Sequence, residues 1–470
     1  MIYTDTRDKS VQATFKTAVV NGMNEKTGGL YLPTAFPKLD AAFVNRTTDP
    51  SFRDIAFEMA KPYVEGEIPD ADLAAIIQDA YPFPAKTVAV DPTSYVLELF
   101  HGPTCAFKDF GARFMARVMS YFNRGENSAL HILVATSGDT GSAVGSAFHN
   151  VPGLDVTILY PEGKVSALQE KQLSTFDGNV RALKVRGTFD DCQKLVKTAF
   201  TDASLRAKLR LSSANSINIS RLLPQSFYYM YSSMVVRNGS WRNNKLEHPA
   251  IICIVPSGNF GNLTSGLIAR EMGAPITGFV AATNTNRTIP DWIATGDYRA
   301  RPSVETYANA MDVGAPSNYE RIAAMYSLAD VRRLFASYWL DNDGILASIK
   351  DCFDRTGYTI DPHGAVGWKA WSDIRAGGFE RLAAGTKGDV AKPGLTPNLP
   401  VWSDEVLKKN AVGIILETAH PAKFSATVEK AIGRTPVIPD RLERVLKLAD
   451  RAVSMENDYA QFKDWLLATL

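Results

Sequence analysis

Cysteine is scarce in this sequence. Only four occur among 470 residues, at Cys105, Cys192, Cys253 and Cys352, and none sits in a CxxC pair. Such spacing excludes a cysteine-based zinc site and fits a chain kept reduced in the cytoplasm. An excess of one charge is missing as well. Fifty-one basic and 50 acidic residues leave a formal charge of +1, which gives nucleic acid no electrostatic footprint. No apolar run approaches the roughly 20 residues that cross a bilayer. The opening MIYTDTRDKS has no apolar core of the secretory kind. Neither a nucleic-acid partner nor a membrane is expected.

What is present suits a large globular chain. Apolar residues make up 45% and charged residues 21%, which argues against broad disorder. Single cores stop growing near ~250–300 residues, so two or three domains are expected. Residues 10–90 read as an α-rich opening, with a GGLYLP turn at 28–33. Ser94–Phe100 reads as a strand. Asp109–Arg124 reads as a helix, with Phe110, Phe114, Met115, Val118, Met119 and Phe122 on one side. Short apolar runs follow at Leu130–Ala135, Val156–Tyr160, Val180–Val185, Ile251–Val255, Ile276–Ala281 and Val412–Leu416. Such runs mark strands buried on both faces, hence parallel sheets covered by helices. The class is α/β with at least two sheets. The Gly-, Pro- and Lys-rich Ala384–Asp404 is expected to be a surface excursion, and Pro439–Leu470 has helical periodicity. The expected units are an α-rich segment over 1–95, a smaller α/β domain over 96–235 and a larger one over 236–470.

Four segments at strand ends carry chemistry. In His101-Gly-Pro-Thr-Cys-Ala-Phe-Lys108, a lysine stands where a helix begins. It is either a solvated helix-start lysine or an amine whose pKa the helix dipole and its apolar neighbours depress. An amine of the second kind can bond an aldehyde. Ser137-Gly-Asp-Thr-Gly-Ser-Ala143 follows the strand at 130–135. It is either an anion-binding turn or a tight turn capped by Asp139. Ser257-Gly-Asn-Phe-Gly-Asn262 follows the strand at 251–255 and has the strand–glycine turn–helix form that cradles phosphate. It lacks the Walker lysine, and it is not GxGxxG with a following acid, so a small phosphorylated cofactor fits better than a nucleotide. Last comes Thr418-Ala-His-Pro-Ala-Lys-Phe424, with a neutral hydroxyl where the final strand ends. His420 and Lys423 are either ligands or surface groups. A lysine, two anion loops and a hydroxyl together supply the contacts that pyridoxal phosphate needs.

These residues resemble the threonine synthase family of fold-type II pyridoxal-phosphate enzymes, in its longer bacterial and fungal form. The resemblance rests on PTCAFKDFGARF at 103–114, ATSGDTGSA at 135–143, SANSIN at 213–218 followed by Arg221, PSGNFGN at 256–262 and TAHPAKF at 418–424. One departure is that Lys26 and Thr27 precede Gly28-Gly29, where the family carries an acidic residue. The resemblance implies a tryptophan synthase β-like fold with two open parallel-type sheets. It also implies conversion of O-phospho-L-homoserine and water to L-threonine and phosphate by a monomer. Lys108 is implied to bond the cofactor. Gly258, Asn259, Phe260, Gly261 and Asn262 are implied to hold its phosphate, Asp139 to flank its ring and Thr418 to meet its pyridine nitrogen. Ser137, Gly138, Asp139 and Thr140 are implied for the substrate carboxylate, and Asn215, Ser216, Arg221 and Lys423 for the substrate phosphate. The competing readings are a serine or threonine dehydratase, a cysteine synthase-like lyase, or a non-catalytic cofactor-binding relative.

Overall fold

The computed structural model describes residues 1–136, 138–244, 249–379, 392–398, 400–403 and 410–469. Ser137 of the glycine turn therefore lies outside the described residues. So do 384–391, Leu399 and Asp404 of the expected excursion.

Two helix-covered sheets dominate. The larger has seven strands in the order Gly394–Leu395, Phe335–Trp339, Gly278–Thr283, Ala250–Pro256, Ala411–Glu417, Ser94–Glu98 and Lys86–Asp91. Its inner five strands run parallel, and the two edge strands pair antiparallel. The smaller is all parallel, in the order Val453–Glu456, Val180–Arg186, Leu154–Pro161, Leu130–Ala135 and Arg210–Ser213. The inner strands are buried along their length because helices cover both faces, and their near-continuous apolar runs follow from that.

Each strand read from the sequence appears, Leu130–Ala135 with the expected bounds and the others with ends moved by one or two residues, and the expected helix runs over Lys108–Phe122. The expected units do not keep to one sheet each. Ser94–Glu98, at the 95/96 boundary, pairs with Ala411–Glu417 in the larger sheet. Val453–Glu456, expected in the larger unit, completes the smaller sheet beside Val180–Arg186. Chain order cannot reveal such returns, since parallel neighbours are joined by long crossovers.

The opening is α-rich, with helices at Phe15–Asn21, Phe52–Val64 and Asp70–Ala80. It also holds an antiparallel sheet of Gln12–Ala13, Tyr3–Asp5 and Tyr31–Pro33. Strands of two or three residues are too short for alternation to register. The expected surface excursion is corrected in part. Thr396, Asn398 and Trp402 are buried beside strand Phe335–Trp339 and the helix Leu328–Leu334 that leads into it, with Asn398 Nδ2 donating to Phe335 O at 2.5 Å and Trp402 Nε1 to Leu334 O at 2.9 Å. On the side away from Gly278–Thr283, that strand pairs among the described residues only with Gly394–Leu395, and its other outward carbonyls there take Thr396 N–H and the Asn398 side chain.

Candidate functional site

Lys108 is placed by a backbone clamp. Ala106 forms an antiparallel bridge with Ala419, Phe107 N–H donates to Thr418 O at 2.8 Å, and His420 N–H donates to Cys105 O at 3.0 Å. The end of the last strand is thereby locked to the turn that opens helix Lys108–Phe122. Cys105 adopts φ 57° to make that turn, uncommon for a residue with a side chain. Lys108 and Thr418, 310 positions apart in sequence, are thus held beside one another. The Thr418 side chain takes no hydrogen bond among the described residues.

The electrostatics around Lys108 depend on buried charges. Burial pushes its pKa down to about 8; Asp139 opposes this, while Lys423 and Arg221 add to it. Asp139 opens helix Asp139–Phe148, and its carboxylate binds Lys423 Nζ at 2.7 Å and Gln169 Nε2 at 3.1 Å. Burial alone would raise the Asp139 carboxyl, but Lys423 and Lys108 beside it hold it well below the usual carboxylate range. Lys423 is fully buried and also donates to Thr104 O at 3.1 Å. The same carbonyl takes Gln172 Nε2 at 3.0 Å. Thr104 in turn gives its N–H and hydroxyl to Asp109, at 2.9 and 2.7 Å. Burial pushes that carboxyl up to about 6. His420 is no surface group; its Nδ1 accepts from Ala422 N–H, and burial beside Arg441 lowers it to about 4.

A second cluster surrounds the glycine-rich loop. Helix Gly261–Glu271 starts after Phe260, which sits at φ 60°. A Cβ on Gly258 would fall 2.7 Å from Ala310 O, so only glycine fits there. Asn259 is held from Asn318, whose Nδ2 reaches Asn259 O at 3.1 Å, and Asn259 Nδ2 donates to Ser216 Oγ. Asn262 Oδ1 accepts from Tyr228 and Tyr229 at 2.6 and 2.9 Å, while its buried Nδ2 is left without a partner among the described residues. Arg221 is buried against helix Lys108–Phe122, where a Cβ on Gly111 would stand 3.1 Å from its Nε. Its Nη1 donates to Ala214 O at 2.5 Å, its Nε has no partner among the described residues, and burial lowers its pKa to about 10.

The expected residues thus gather in two linked groups. Lys108, Asp139, Thr418 and Lys423 form one, with Gly138 and Thr140 beside Asp139 on the helix start. Asn215, Ser216, Arg221 and the 258–262 loop form the other. Lys423, implied for the substrate phosphate, pairs with Asp139. Sequence reasoning missed Thr104, Asp109, Gln169, Gln172, Asn318 and Arg321. Ser166 and Gln169 at capping-box spacing mark a helix start, but nothing in the sequence aims Gln169 at Asp139.

The arrangement fits pyridoxal phosphate. A half-buried amine with a lowered pKa lies one residue from the backbone contact to Thr418, whose hydroxyl takes no hydrogen bond among the described residues, and a helix N-terminus behind a glycine that tolerates no side chain carries an orphaned amide donor suited to phosphate.

Three family models match the chain. Residues 2–81 match the threonine synthase N terminus, 82–382 the pyridoxal-phosphate dependent enzymes and 402–466 the threonine synthase C-terminal region. The threonine synthase of Haemophilus influenzae is 38% identical over 456 residues, covering 97% of each chain. The crystal structure of threonine synthase from Escherichia coli superposes with a TM-score of 0.83 at 34% identity, covering 100% of both chains. A pyridoxal-phosphate-bound threonine synthase from Brucella melitensis gives 0.83 at 30% identity, covering 99% of this chain and 98% of its own.

Proposed function

Since the chain belongs to the threonine synthase family of pyridoxal-phosphate enzymes, we propose that its cleft converts O-phospho-L-homoserine and water to L-threonine and inorganic phosphate, with the cofactor bonded to Lys108. The observation that carries this reading is the clamp that sets a low-pKa lysine beside Thr418.

When bound, the cofactor supplies an electron sink for charge developing at the substrate α-carbon. The protein's own groups do the rest. The Lys108 amine takes the α-proton and then moves a proton at the β-carbon; a pKa near 8 suits both duties near neutral pH. Phosphate leaves from the γ-carbon, which takes up one of the two protons removed and becomes a methyl group; water gives its hydroxyl to the β-carbon and its proton to the phosphate, and the other proton returns to the α-carbon. Gly258 to Asn262 hold the cofactor's phosphate at the helix N-terminus. Thr418 would hold the pyridine nitrogen with a neutral hydroxyl rather than a carboxylate. Ser137, Gly138, Asp139 and Thr140 receive the substrate carboxylate, with the N–H groups of Asp139 and Thr140 as donors because Thr136 Oγ1 already takes the Gly138 N–H at 3.0 Å. Asn215, Ser216 and the free Nε of Arg221 receive the departing phosphate. Lys423 acts one step back, by fixing Asp139.

The test is a coupled phosphate-release assay with O-phospho-L-homoserine. Wild-type protein loaded with cofactor is expected to release phosphate, and Lys108→Ala to release none. Formation of a keto acid from threonine, without phosphate release, would assign the chain to a dehydratase. No helix among the described residues is long and apolar enough to cross a membrane. The enzyme is proposed to work in the cytoplasm as a monomer; light scattering far above 51.4 kDa would refute the latter.

A further inference from the structure

Two arginines are fully buried, and both grip the same turn. Arg221 is 1% exposed and Arg321 0%. Arg221 Nη1 donates to Ala214 O, while Arg321 donates from Nη2 to Ile217 O at 2.5 Å and from Nη1 to Ser216 O at 3.4 Å. The other Arg321 contacts are Nε and Nη2 to Tyr31 O, at 3.1 and 3.0 Å, and Nη1 to Asn318 Oδ1 at 2.8 Å. One guanidinium therefore ties together the N-terminal strand, the 214–218 turn and, through Asn318, the glycine-rich loop at Asn259.

Its charge is not neutralised. Among the described residues neither arginine forms an ion pair. The carboxylates that act on them are engaged elsewhere, Glu320 with Arg7 and Asp109 with Thr104. A buried cation surrounded only by carbonyls is expensive to hold, so an anion that completes the site is strongly favoured. The turn is oriented to receive one. The carbonyls of Ala214, Ser216 and Ile217 point into the arginines, and Asn215 O takes Asn218 N–H at 3.0 Å. In a trans peptide the N–H points opposite the carbonyl, so the N–H groups of Ser216 and Ile217 face away from Arg321 and Asn218. Neither has a hydrogen-bond partner among the described residues. The turn abuts the helix N-terminus, since a Cβ on Gly261 would stand 3.5 Å from Ser216 Cβ.

We propose that Arg321 is a positioning residue for phosphate-monoester recognition, holding the 214–218 turn by its carbonyls so that its free amides and Arg221 face the anion. This rests on the reaction proposed above. Two phosphates share the required chemistry, the cofactor's tail and the substrate's leaving group, and the test separates them.

The experiment uses full-length protein and Arg321→Lys, which keeps the charge but loses the planar fork. Inorganic phosphate is expected to raise the melting temperature of cofactor-free wild-type protein at fixed ionic strength. Arg321→Lys should need at least tenfold more phosphate for the same shift. If the anion is the substrate's phosphate, the holoenzyme variant shows a tenfold higher KM, a smaller change in kcat, and inhibition by phosphate weakened to match. If it is the cofactor's tail, affinity for pyridoxal phosphate falls tenfold while pyridoxal, which lacks the phosphate, is captured as by wild type. A folded Arg321→Lys that matches wild type in every arm overturns the proposal. So does a wild-type apo-protein that phosphate does not stabilise. Should Arg321→Lys fail to fold, Asn318→Ala breaks the Nη1 contact and is read identically, with an unchanged phosphate response again overturning the idea. A wild-type holoenzyme that releases no phosphate from substrate would refute the reaction while leaving the response of the apo-protein standing.

Discussion

An amine reacts with an aldehyde only in its neutral form, and at position 108 the neutral fraction is set by residues far away in sequence. Burial lowers the Lys108 pKa to about 8, and the competition between Asp139 and Lys423 tunes it. The sign is clear. Below about 8 the amine is mostly protonated, so the rate at which apo-protein captures cofactor should rise about tenfold per pH unit and level off above 8. Lys423→Met removes a repelling cation and leaves Asp139 to act on Lys108 alone, which raises the Lys108 pKa and moves that profile to higher pH. Each unit of rise lowers capture at pH 7 about tenfold. Stripping one partner from a buried pair should also cost about 3–5 kcal/mol of stability. Stopped-flow absorbance across pH measures the first effect and denaturant melts the second; a profile that stays in place would remove Lys423 from this role.

Glu417 presents a different case at the same scale. It is fully buried one residue before Thr418, and burial, with Asp361 nearby, raises its carboxyl well above the ordinary value. A carboxyl raised in the fold stabilises it fully below the unfolded value and loses that contribution as pH rises through the folded one. Its Oε1 accepts Asp361 N–H at 2.6 Å, a bond that an amide oxygen can replace. Glu417→Gln, which ionises in neither state, is therefore expected to melt above wild type at pH 7 and to lose less stability than wild type towards alkaline pH. A melt that falls faster with pH than wild type would show that residue 417 carries charge.

At the scale of elements, the glycine-rich loop is shaped by backbone packing. Gly258 faces Ala310 O and Met311 Cα, where an added Cβ would stand at 2.7 and 2.8 Å. Backbone cannot give way as a long side chain can, so Gly258→Ala should shift the whole 258–262 loop. We expect cofactor affinity to fall at least tenfold by fluorescence titration, with about 1–3 kcal/mol of lost stability. Affinity equal to wild type would mean that the loop does not hold the phosphate. Elements were legible where one segment carries its own signal. Strands Leu130–Ala135 and Ala250–Pro256 are apolar nearly throughout, and their glycine turns follow directly. Strand Phe335–Trp339 escaped notice because Ser337 interrupts its short apolar run, and Arg210–Ser213 because three of its four residues are polar. Lys108 and Thr418 were legible as motif residues. Arg321 was not, since its contacts reach back 290 positions to Tyr31 and no local pattern encodes a long return.

At the scale of the molecule, the returns decide which segments stand or fall together. The last residues belong with the smaller sheet, not with the larger sheet that precedes them in the chain. Met455, Phe462 and Leu466 are buried in one cluster with Leu183, Cys192 and Leu195. Lys463 and Tyr459 both bind Asp202, at 2.7 and 2.8 Å. Three apolar side chains at about 1.5–3 kcal/mol each, taken as an upper bound, approach the whole stability of a typical domain. A chain ended at Asp450 should therefore lose amide-exchange protection in Leu130–Ala135, Leu154–Pro161 and Val180–Arg186, while Ala250–Pro256 and Ala411–Glu417 keep theirs. Helix Asp139–Phe148 stands on the smaller sheet, so Asp139 would leave Lys423, and cofactor capture at Lys108 should weaken although no deleted residue belongs to the site. Uniform loss of protection across both sheets would mean that they unfold as one unit. Full retention would mean that the C-terminal strand and helix add nothing to the sheet that carries Asp139.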